Sequence, residues 1–368
     1  MESSFARNRN SFIIVLVYFV ILFLNMVIDK MSSYGYIQSM VFSVVFFFCN
    51  NKKDNIRNII LTIVLLLPVL LFSRSNFLYY INDSLTLFLV LSCIDAFKIF
   101  SLSEKQSRIV SAVLLIYAIL FLVCTIFPSF YDGEEGRYRG LFGGVNISSS
   151  VIVLIIAYLL EFFKGKRLQF VVYVIAFACF LVSLFLCNTR SVFFVVPFLL
   201  WLYKGNINFK KAWPFILLIV TIGGYLIVSN SASMLEDLRL SEEDTSYLTR
   251  AFLYEKEFEG ISQNYYIKPH GFNACITFVK NLTDNDSFSP HNDLLAYWYD
   301  WGLAWLITLV ILFVRIRRYV KSIDFKYGSI LLFFFVVSCA LHNVMLNICI
   351  WIPLILIMWR ARIIRDNI

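Results

Sequence analysis

The chain has 368 residues, of which 60% are hydrophobic, 18% aromatic and 15% charged, and its mean hydropathy is +0.77. This composition is too apolar for an ordinary soluble domain. The net charge of +8 does not indicate nucleic acid as a partner, because the basic residues follow the joints between apolar runs and form no single patch.

About twelve apolar runs alternate with short hydrophilic joints. A helix needs roughly 20 apolar residues to cross a bilayer, and its backbone satisfies its own hydrogen bonds there. The runs are unbroken, which favours helices over the alternating strands of a β-barrel. The sequence therefore predicts one all-α polytopic membrane domain over residues 1–368, with spans at about 11–29, 33–50, 58–74, 78–99, 109–128, 145–163, 168–187, 191–203, 212–230, 293–315, 327–346 and 348–360.

The positive charges orient these spans. Of the 32 Lys and Arg residues, 22 fall at the two termini and at every second joint. The positive-inside rule predicts that these joints and both termini are cytoplasmic. The run that follows Arg7 and Arg9 is long for a signal peptide, so we expect an uncleaved first span.

The longest hydrophilic segment, about residues 231–292, lies between spans nine and ten and is predicted to be a large loop on the side opposite the cytoplasm. Residues 241–244 have the pattern of a capping box. Apolar residues then recur near helical spacing up to Gly260, which predicts an amphipathic helix over 246–260 on the membrane surface or over a cavity. Residues 281–290 are typical of an irregular loop.

The eight cysteines include no CxxC pair, and nearly all lie in apolar runs, so we expect small buried hydrophobes. Only Cys275 lies in a polar loop, where it has no obvious partner. Three histidines without clustered Cys, Asp or Glu do not predict a metal site.

Two short segments place arginines on the side predicted to lie opposite the cytoplasm. A glycine-rich stretch before span six contains Arg137 and Arg139, and glycines of this kind can form anion-binding nests. Arg190 follows Asn188 and Thr189 in the tight turn between spans seven and eight. The alternatives are a flexible connector for the first segment, and for Arg190 a side chain that snorkels to lipid head groups.

The long loop holds a third group of polar residues. Arg250 lies in the predicted amphipathic helix, and a proline-led turn at Pro290 delivers His291 and Asn292 to the mouth of span ten. Histidine is a general base near neutral pH, although a single interfacial histidine also fits a structural role. Arginines and histidines gathered on one face are suited to binding a diphosphate at a membrane surface, while pairing with nearby carboxylates is the alternative.

These residues resemble motifs of the O-antigen polymerase/ligase superfamily of bacterial envelope glycosyltransferases. Four short matches carry the resemblance: Arg137-Tyr-Arg-Gly to Val145-Asn146, with Val145 where proline is usual, Thr189-Arg190-Ser191, Arg250 in the long loop, and Pro290-His291-Asn292 followed by Gly302. The predicted span number and the position of the long loop agree with the family as well.

The resemblance implies transfer of a glycan from undecaprenyl pyrophosphate to an acceptor hydroxyl at the periplasmic face of the inner membrane, with inversion and without metal or soluble cofactor. Arg190 and Arg250 would bind the leaving diphosphate, and His291 would orient or deprotonate the hydroxyl. Arg137, Arg139, Asn292 and His342 would support substrate binding. Membrane lipids and a chain-length regulator protein are the further partners implied.

Three alternatives remain open at the level of sequence. The resemblance fits a polymerase, whose acceptor is another lipid-linked repeat unit, and a ligase, whose acceptor is the lipid A core. The stretch from Lys268 to Phe272 and the Pro290 turn favour the polymerase. A lipid-oligosaccharide flippase would place ionisable residues in mid-membrane, and the few candidates, Asp83 and Asp95, lie toward helix ends. A sensor or scaffold is disfavoured because the sequence contains no evident cytoplasmic signalling domain.

Overall fold

The computed structural model describes residues 4–27, 35–73, 77–131, 137–142, 145–187, 246–283, 292–320 and 348–366. Within these ranges the fold is helical, apart from one isolated antiparallel bridge between Tyr131 and Tyr138. The helices are α1 (Ser4–Val27), α2 (Gly35–Cys49), α3 (Lys52–Phe72), α4 (Phe77–Ile99), α5 (Glu104–Val123), α6 (Val145–Phe163), α7 (Gln169–Leu181), α8 (Ser246–Gln263), α9 (Ala274–Thr283), α10 (Asp293–Trp301), α11 (Leu303–Val320) and α12 (Ile348–Asp366).

Among the described residues, four helical segments are long and apolar enough to cross a membrane: Ala6–Leu24, Lys52–Phe72, Phe77–Ile99 and Glu104–Ile126. Shorter apolar helices cover Ile37–Cys49, Ile147–Phe163 and Gln169–Leu181. The prediction of an all-α chain with apolar helices of membrane-spanning length is thus confirmed for this part of the chain. The number of twelve spans and the orientation of the termini stay predictions.

Three helices occupy the centre of the bundle. In α4 residues 86–97 are all buried, in α12 residues 349–359 are all buried, and α6 is buried over nearly its whole length. α12 packs against both α4 and α6. A helix that is apolar on every side is stable only when other helices or lipid surround it. The outer helices instead present large apolar side chains outward, for example Phe48, Leu71 and Phe170, as expected for surfaces that contact lipid chains.

One end of the bundle gathers basic residues and holds the helices together by polar contacts. Asp95 of α4 pairs with Arg57 of α3 at 2.7 Å and with Arg315 of α11 at 3.5 Å. Asn58 donates to Asp95 at 2.9 Å and accepts from Arg315 at 2.8 Å. Arg362 donates to two carbonyl oxygens where α4 ends. We call this the basic end of the bundle, defined by Arg57, Lys98, Arg108, Lys166, Arg315 and Arg362.

The opposite end is marked by Asp83, Tyr138 and Trp301. The described joints that the sequence assigns to the cytoplasm therefore meet at one end, and the segment of Arg137 and Arg139 lies at the other. This arrangement agrees with the alternation of charge along the chain.

The structure corrects two predicted boundaries. The tenth predicted span, 293–315, is broken at Gly302 into the nine-residue α10 and the longer α11. Its apolar and aromatic residues are continuous in sequence, but Gly302 adopts a φ of 56° that ends the helix. The predicted irregular loop from residue 281 begins later, because α9 continues to Thr283.

Substituting Asp95 by Asn is expected to destabilise the bundle by about 3–5 kcal/mol, because Arg315 is left mostly buried without its counter-charge. Thermal unfolding of the purified protein in detergent measures the effect. The matched control is Glu259→Gln, which removes a carboxylate from an exposed pair with Lys256 and should leave the transition unchanged. Equal transitions for the wild type and Asp95→Asn would contradict a stabilising network.

Candidate functional site

At the opposite end, α8, α9, α10 and the connecting residues 264–273 pack into an outer layer. This outer layer has a small hydrophobic core of its own, formed by Leu253, Ile261, Cys275, Val279, Ala296 and Tyr299. A helix over the predicted range is confirmed as α8, which begins at Ser246 and ends at Gln263, while its place on the membrane surface or over a cavity stays a prediction. Residues 241–245, which include the predicted capping box, lie outside the described residues.

Asn292 begins α10. Its side-chain oxygen accepts hydrogen bonds from the backbone amides of Leu294 at 2.9 Å and Leu295 at 3.2 Å. Asparagine is a strong N-cap because its oxygen satisfies amides that have no partner within the helix. Asp293, in the first turn, adds a buried carboxylate at the positive end of the helix dipole. The observed contacts of Asn292 are therefore those of a helix cap that fixes the start of α10.

Gly302 ends α10 in a conformation that excludes other residues. A Cβ at this position would lie 2.2 Å from the carbonyl oxygen of Ile267, and φ is 56°. The same carbonyl accepts a hydrogen bond from the amide of Leu303 at 2.8 Å. The sequence motif Pro290-His291-Asn292 to Gly302 thus corresponds to one short helix. Asn292 begins this helix and Gly302 ends it.

Residues 264–273 wrap around the C-terminal end of α10. The amides of His270 and Gly271 donate to the carbonyl oxygens of Tyr299 and Asp300 at 3.2 and 3.0 Å. Such bonds satisfy the carbonyls that a helix leaves unpaired at its last turn. The loop and α10 therefore form one unit.

His270 belongs to this wrapping and has both ring nitrogens engaged. Its ring stacks on Tyr299 at 3.8 Å between centroids. Nδ1 lies 3.0 Å from the Tyr299 carbonyl oxygen, which can only accept, so Nδ1 carries the proton and Nε2 accepts from the amide of Asn264 at 2.6 Å. Burial lowers the pKa of His270, which favours this neutral form. His270 is a structural histidine.

Two side-chain contacts join the outer layer to α4 of the bundle. The indole nitrogen of Trp301 donates to the carboxylate of Asp83 in α4 at 3.0 Å. Tyr80 packs edge-on against Phe272 with ring centroids 5.6 Å apart. Asp83, which the sequence offered as a flippase residue, here positions α10 on α4.

A buried group of acidic residues lies inside the outer layer. Asp300 accepts a hydrogen bond from the amide of Cys275 at 2.7 Å. Glu257 is fully buried, and neither carboxylate oxygen meets an N–H or O–H donor within the described part of the chain. The weakly donating thiol of Cys275 lies beside Glu257. Cys275, expected to have no partner, is thus a buried member of this group.

The segment Arg137-Tyr138-Arg139 is held by its backbone and by Tyr138. The amide of Tyr138 donates to Leu186 O at 2.9 Å, and the amide of Arg139 donates to Phe130 O at 2.7 Å. The buried phenol of Tyr138 donates to Phe121 O at 2.7 Å. Tyr138 is buried, whereas the flanking Arg137 and Arg139 are half-buried. The alternative of a flexible connector over the whole glycine-rich stretch stays open, because residues 132–136 and 143–144 lie outside the described residues.

Gly140 keeps this segment close to α6. A Cβ at Gly140 would lie 2.5 Å from Cβ of Ser148, and φ is 65°. The hydroxyl of Ser148 donates to the carbonyl oxygen of Arg139 at 2.6 Å. The bond from Tyr138 to Leu186 also ties the segment to the π-helical turn Val182–Leu186 that follows α7. Leu186 stands four residues before Arg190 in the sequence.

The remaining predicted site residues are described in part or not at all. The backbone of Arg250 lies in α8, and its side chain is outside the described residues. His291, Arg190 and His342 lie outside the described residues as well. Within the described ranges no group of three or more His, Cys, Asp or Glu side chains could hold a metal ion. The absence of a metal from the reaction stays a prediction.

Comparison with known proteins gives no match: no protein-family model, no curated protein and no solved structure matches the chain.

Replacing Gly302 by Ala is expected to detach the loop 264–273 from α10, because the new Cβ meets the Ile267 carbonyl and the backbone is strained. We expect a loss above about 2 kcal/mol and faster proteolysis of the outer layer. Gly165→Ala is the matched control, since Gly165 has a φ of +73° but nothing within 4 Å of its Cβ position. Equal effects of the two substitutions would show that the close approach is unimportant.

The outer layer is expected to lose stability as pH rises, because burial raises the pKa of Glu257 from 4.5 to about 8. The folded state holds the proton of the Glu257 carboxyl more tightly than the unfolded state does. The contribution of protonated Glu257 to the free energy of unfolding is therefore complete below pH 4.5 and is lost as pH rises through about 8. The loss amounts to at most about 1.4 kcal/mol per pH unit. Hydrogen exchange in α8 and α10 between pH 5 and 8 measures the slope.

Glu257→Gln should flatten this slope, and Glu259→Gln on the same helix should not. Asp300, Cys275 and Tyr299 face Glu257 and are present in both variants. A difference between the pH slopes of the two variants is therefore due to Glu257 itself. A slope unchanged by Glu257→Gln would assign the pH dependence to those neighbours.

Proposed function

We propose that the protein is an O-antigen polymerase of the bacterial inner membrane. It transfers a glycan from undecaprenyl pyrophosphate to a hydroxyl of another lipid-linked repeat unit at the periplasmic face. A bond forms between the acceptor oxygen and the anomeric carbon of the donor, while the bond from that carbon to the pyrophosphate breaks. The configuration inverts, and the lipid pyrophosphate leaves. The leaving group is already activated, so the step needs no metal or soluble cofactor.

The observation that carries the proposal is the form of the motif Pro290-His291-Asn292 to Gly302. Its Asn caps one short helix and its Gly closes the same helix, at the end of the bundle opposite the basic end. His291 directly precedes this cap in the sequence. Reacting groups carried by rigid elements are held more precisely than groups on free loops. In this proposal His291 receives the proton of the attacking hydroxyl.

Arg137 and Arg139 support the proposal from the same end of the bundle. Their shared backbone is fixed by bonds from Tyr138 to the turn that follows α7 and from Arg139 to the segment after α5. Guanidinium groups bind phosphate oxygens in bidentate fashion. The proposal assigns the leaving diphosphate to Arg190 and Arg250, with Arg137, Arg139 and His342 as supporting donors. Positive charge is required there because negative charge develops on the leaving group in the transition state.

A flippase is less well supported by the described residues. Asp95 lies in an ion-pair network with Arg57 and Arg315 at the basic end, and Asp83 accepts a hydrogen bond from Trp301. Both carboxylates have structural partners, which leaves them no evident role in moving a substrate through the membrane. A ligase, which transfers the glycan to the lipid A core, remains the alternative.

Substituting His291, Arg190 or Arg250 singly by Ala is expected to abolish long glycan chains in a complemented deletion strain, with protein levels unchanged. Loss of one catalytic base or of one donor to the leaving group typically costs about 10²–10⁴ in rate. Electrophoresis of the envelope polysaccharide and immunoblotting of the tagged protein measure the two quantities. The matched control is Arg317→Ala, an exposed arginine at the basic end, which should keep normal chains.

Normal chain length in all three variants would remove the catalytic assignment. The deletion strain separates the two acceptors. A lipid A core capped by single repeat units indicates loss of a polymerase. An uncapped core, with polymer retained on the lipid carrier, indicates loss of a ligase.

A further inference from the structure

A cavity of about 690 Å³ opens at the basic end, far from the outer layer. It lies between the start of α5, the turn that follows α6 and the last turns of α12. Apolar side chains such as Leu115 and Trp359 form most of its lining. Four charged side chains line it as well, namely Glu104, Arg108, Lys166 and Arg360. The cavity is therefore amphipathic.

The charges of this cavity are not balanced. Glu104 is the one carboxylate of the lining, and it pairs with Arg108 at 2.5 Å. No described carboxylate pairs with Lys166 or Arg360, and Nε of Arg360 is buried without a hydrogen-bond acceptor among the described residues. Burial lowers the pKa of Lys166, and the positive charges of Arg360 and Arg108 lower it further. The lining therefore carries two cations in excess, counted from three cations and one carboxylate.

Both excess cations approach the same aromatic ring. Nζ of Lys166 lies 3.3 Å from the centroid of the Phe162 ring, and Cζ of Arg360 lies 5.5 Å from it. The ring face attracts each cation. It supplies no negative charge and accepts no strong hydrogen bond, so two like charges remain close together at the mouth of an apolar cavity. An anion between them would relieve this repulsion.

The surroundings indicate that the anion belongs to an amphiphile. Leu168 lines the cavity and is 48% exposed, and Phe170, two residues later, is 76% exposed. These side chains face outward from an apolar bundle, where acyl chains would contact them. Basic pockets between membrane helices recognise anionic lipid head groups in this way.

We propose that this cleft binds the phosphate head group of an anionic membrane lipid between Lys166 and Arg360, with the acyl chains against its apolar wall. The site is separate from the proposed polymerase site and takes a different ligand. The lipid would hold α5, α6 and α12 together at the basic end, where their ends converge on the cavity.

Native mass spectrometry of the full chain in detergent tests the proposal with phosphatidylglycerol as probe and phosphatidylethanolamine as comparison. We expect selective binding of phosphatidylglycerol that weakens roughly five- to tenfold in Lys166→Gln and in Arg360→Gln. Arg317→Gln is the matched control, because it removes an exposed arginine from α11 at the same end, outside the cavity lining. It should leave the affinity unchanged.

Glu104→Gln tests the site in the opposite direction and does not depend on removing a buried cation. The exposed Glu104 is the negative group of the cleft, so its neutralisation should tighten phosphatidylglycerol binding several-fold. Three results would overturn the proposal: equal binding of the two lipids, an equal loss in Arg317→Gln, or no tightening in Glu104→Gln. Displacement of the lipid by millimolar inorganic phosphate would assign the cleft to a soluble anion instead. None of these results depends on glycan transfer.

Discussion

The need to satisfy backbone hydrogen bonds in an apolar medium determines the rest of this structure. A chain that is 60% hydrophobic meets that need with helices, and its charged residues are then stable only near helix ends or in partnered groups. The central helices α4, α6 and α12 follow this rule, since their middle residues are almost all apolar and buried. Asp95 is an exception that has partners on two neighbouring helices. The bundle consequently has two chemically distinct ends.

The end opposite the basic end carries the outer layer, which a simple helical bundle does not need. There α10 is closed by an asparagine cap and a glycine, wrapped by residues 264–273 and attached to α4 through Trp301. A helix of nine residues is too short to be stable alone, so these contacts are what fix it. The sequence places His291 directly before this helix. The anchored segment of Arg137 and Arg139 lies at the same end.

Much of the fold was predictable because long apolar runs indicate helices whatever their tertiary contacts. The break at Gly302 was not, since aromatic and aliphatic residues continue across it and a positive φ leaves no periodic signal. The burial of Glu257 was missed for a related reason. It stands close to Glu255, Lys256 and Glu259 in a helix with many polar residues, and such a run resembles a solvated face. Only the packing of α9 and α10 against α8 buries it. Asn292, by contrast, was predictable as an anchor, because an asparagine before an aspartate and two leucines is a helix-start pattern.

The most direct test of the account is chain elongation by the purified protein in liposomes that contain the lipid-linked repeat unit, in the presence of a metal chelator. The account predicts a ladder of products that lengthens by whole repeat units, with one undecaprenyl pyrophosphate released for each new linkage. Active membranes from the parent strain serve as the positive control for the substrate. Failure of the folded protein to elongate a substrate that those membranes extend would contradict the account.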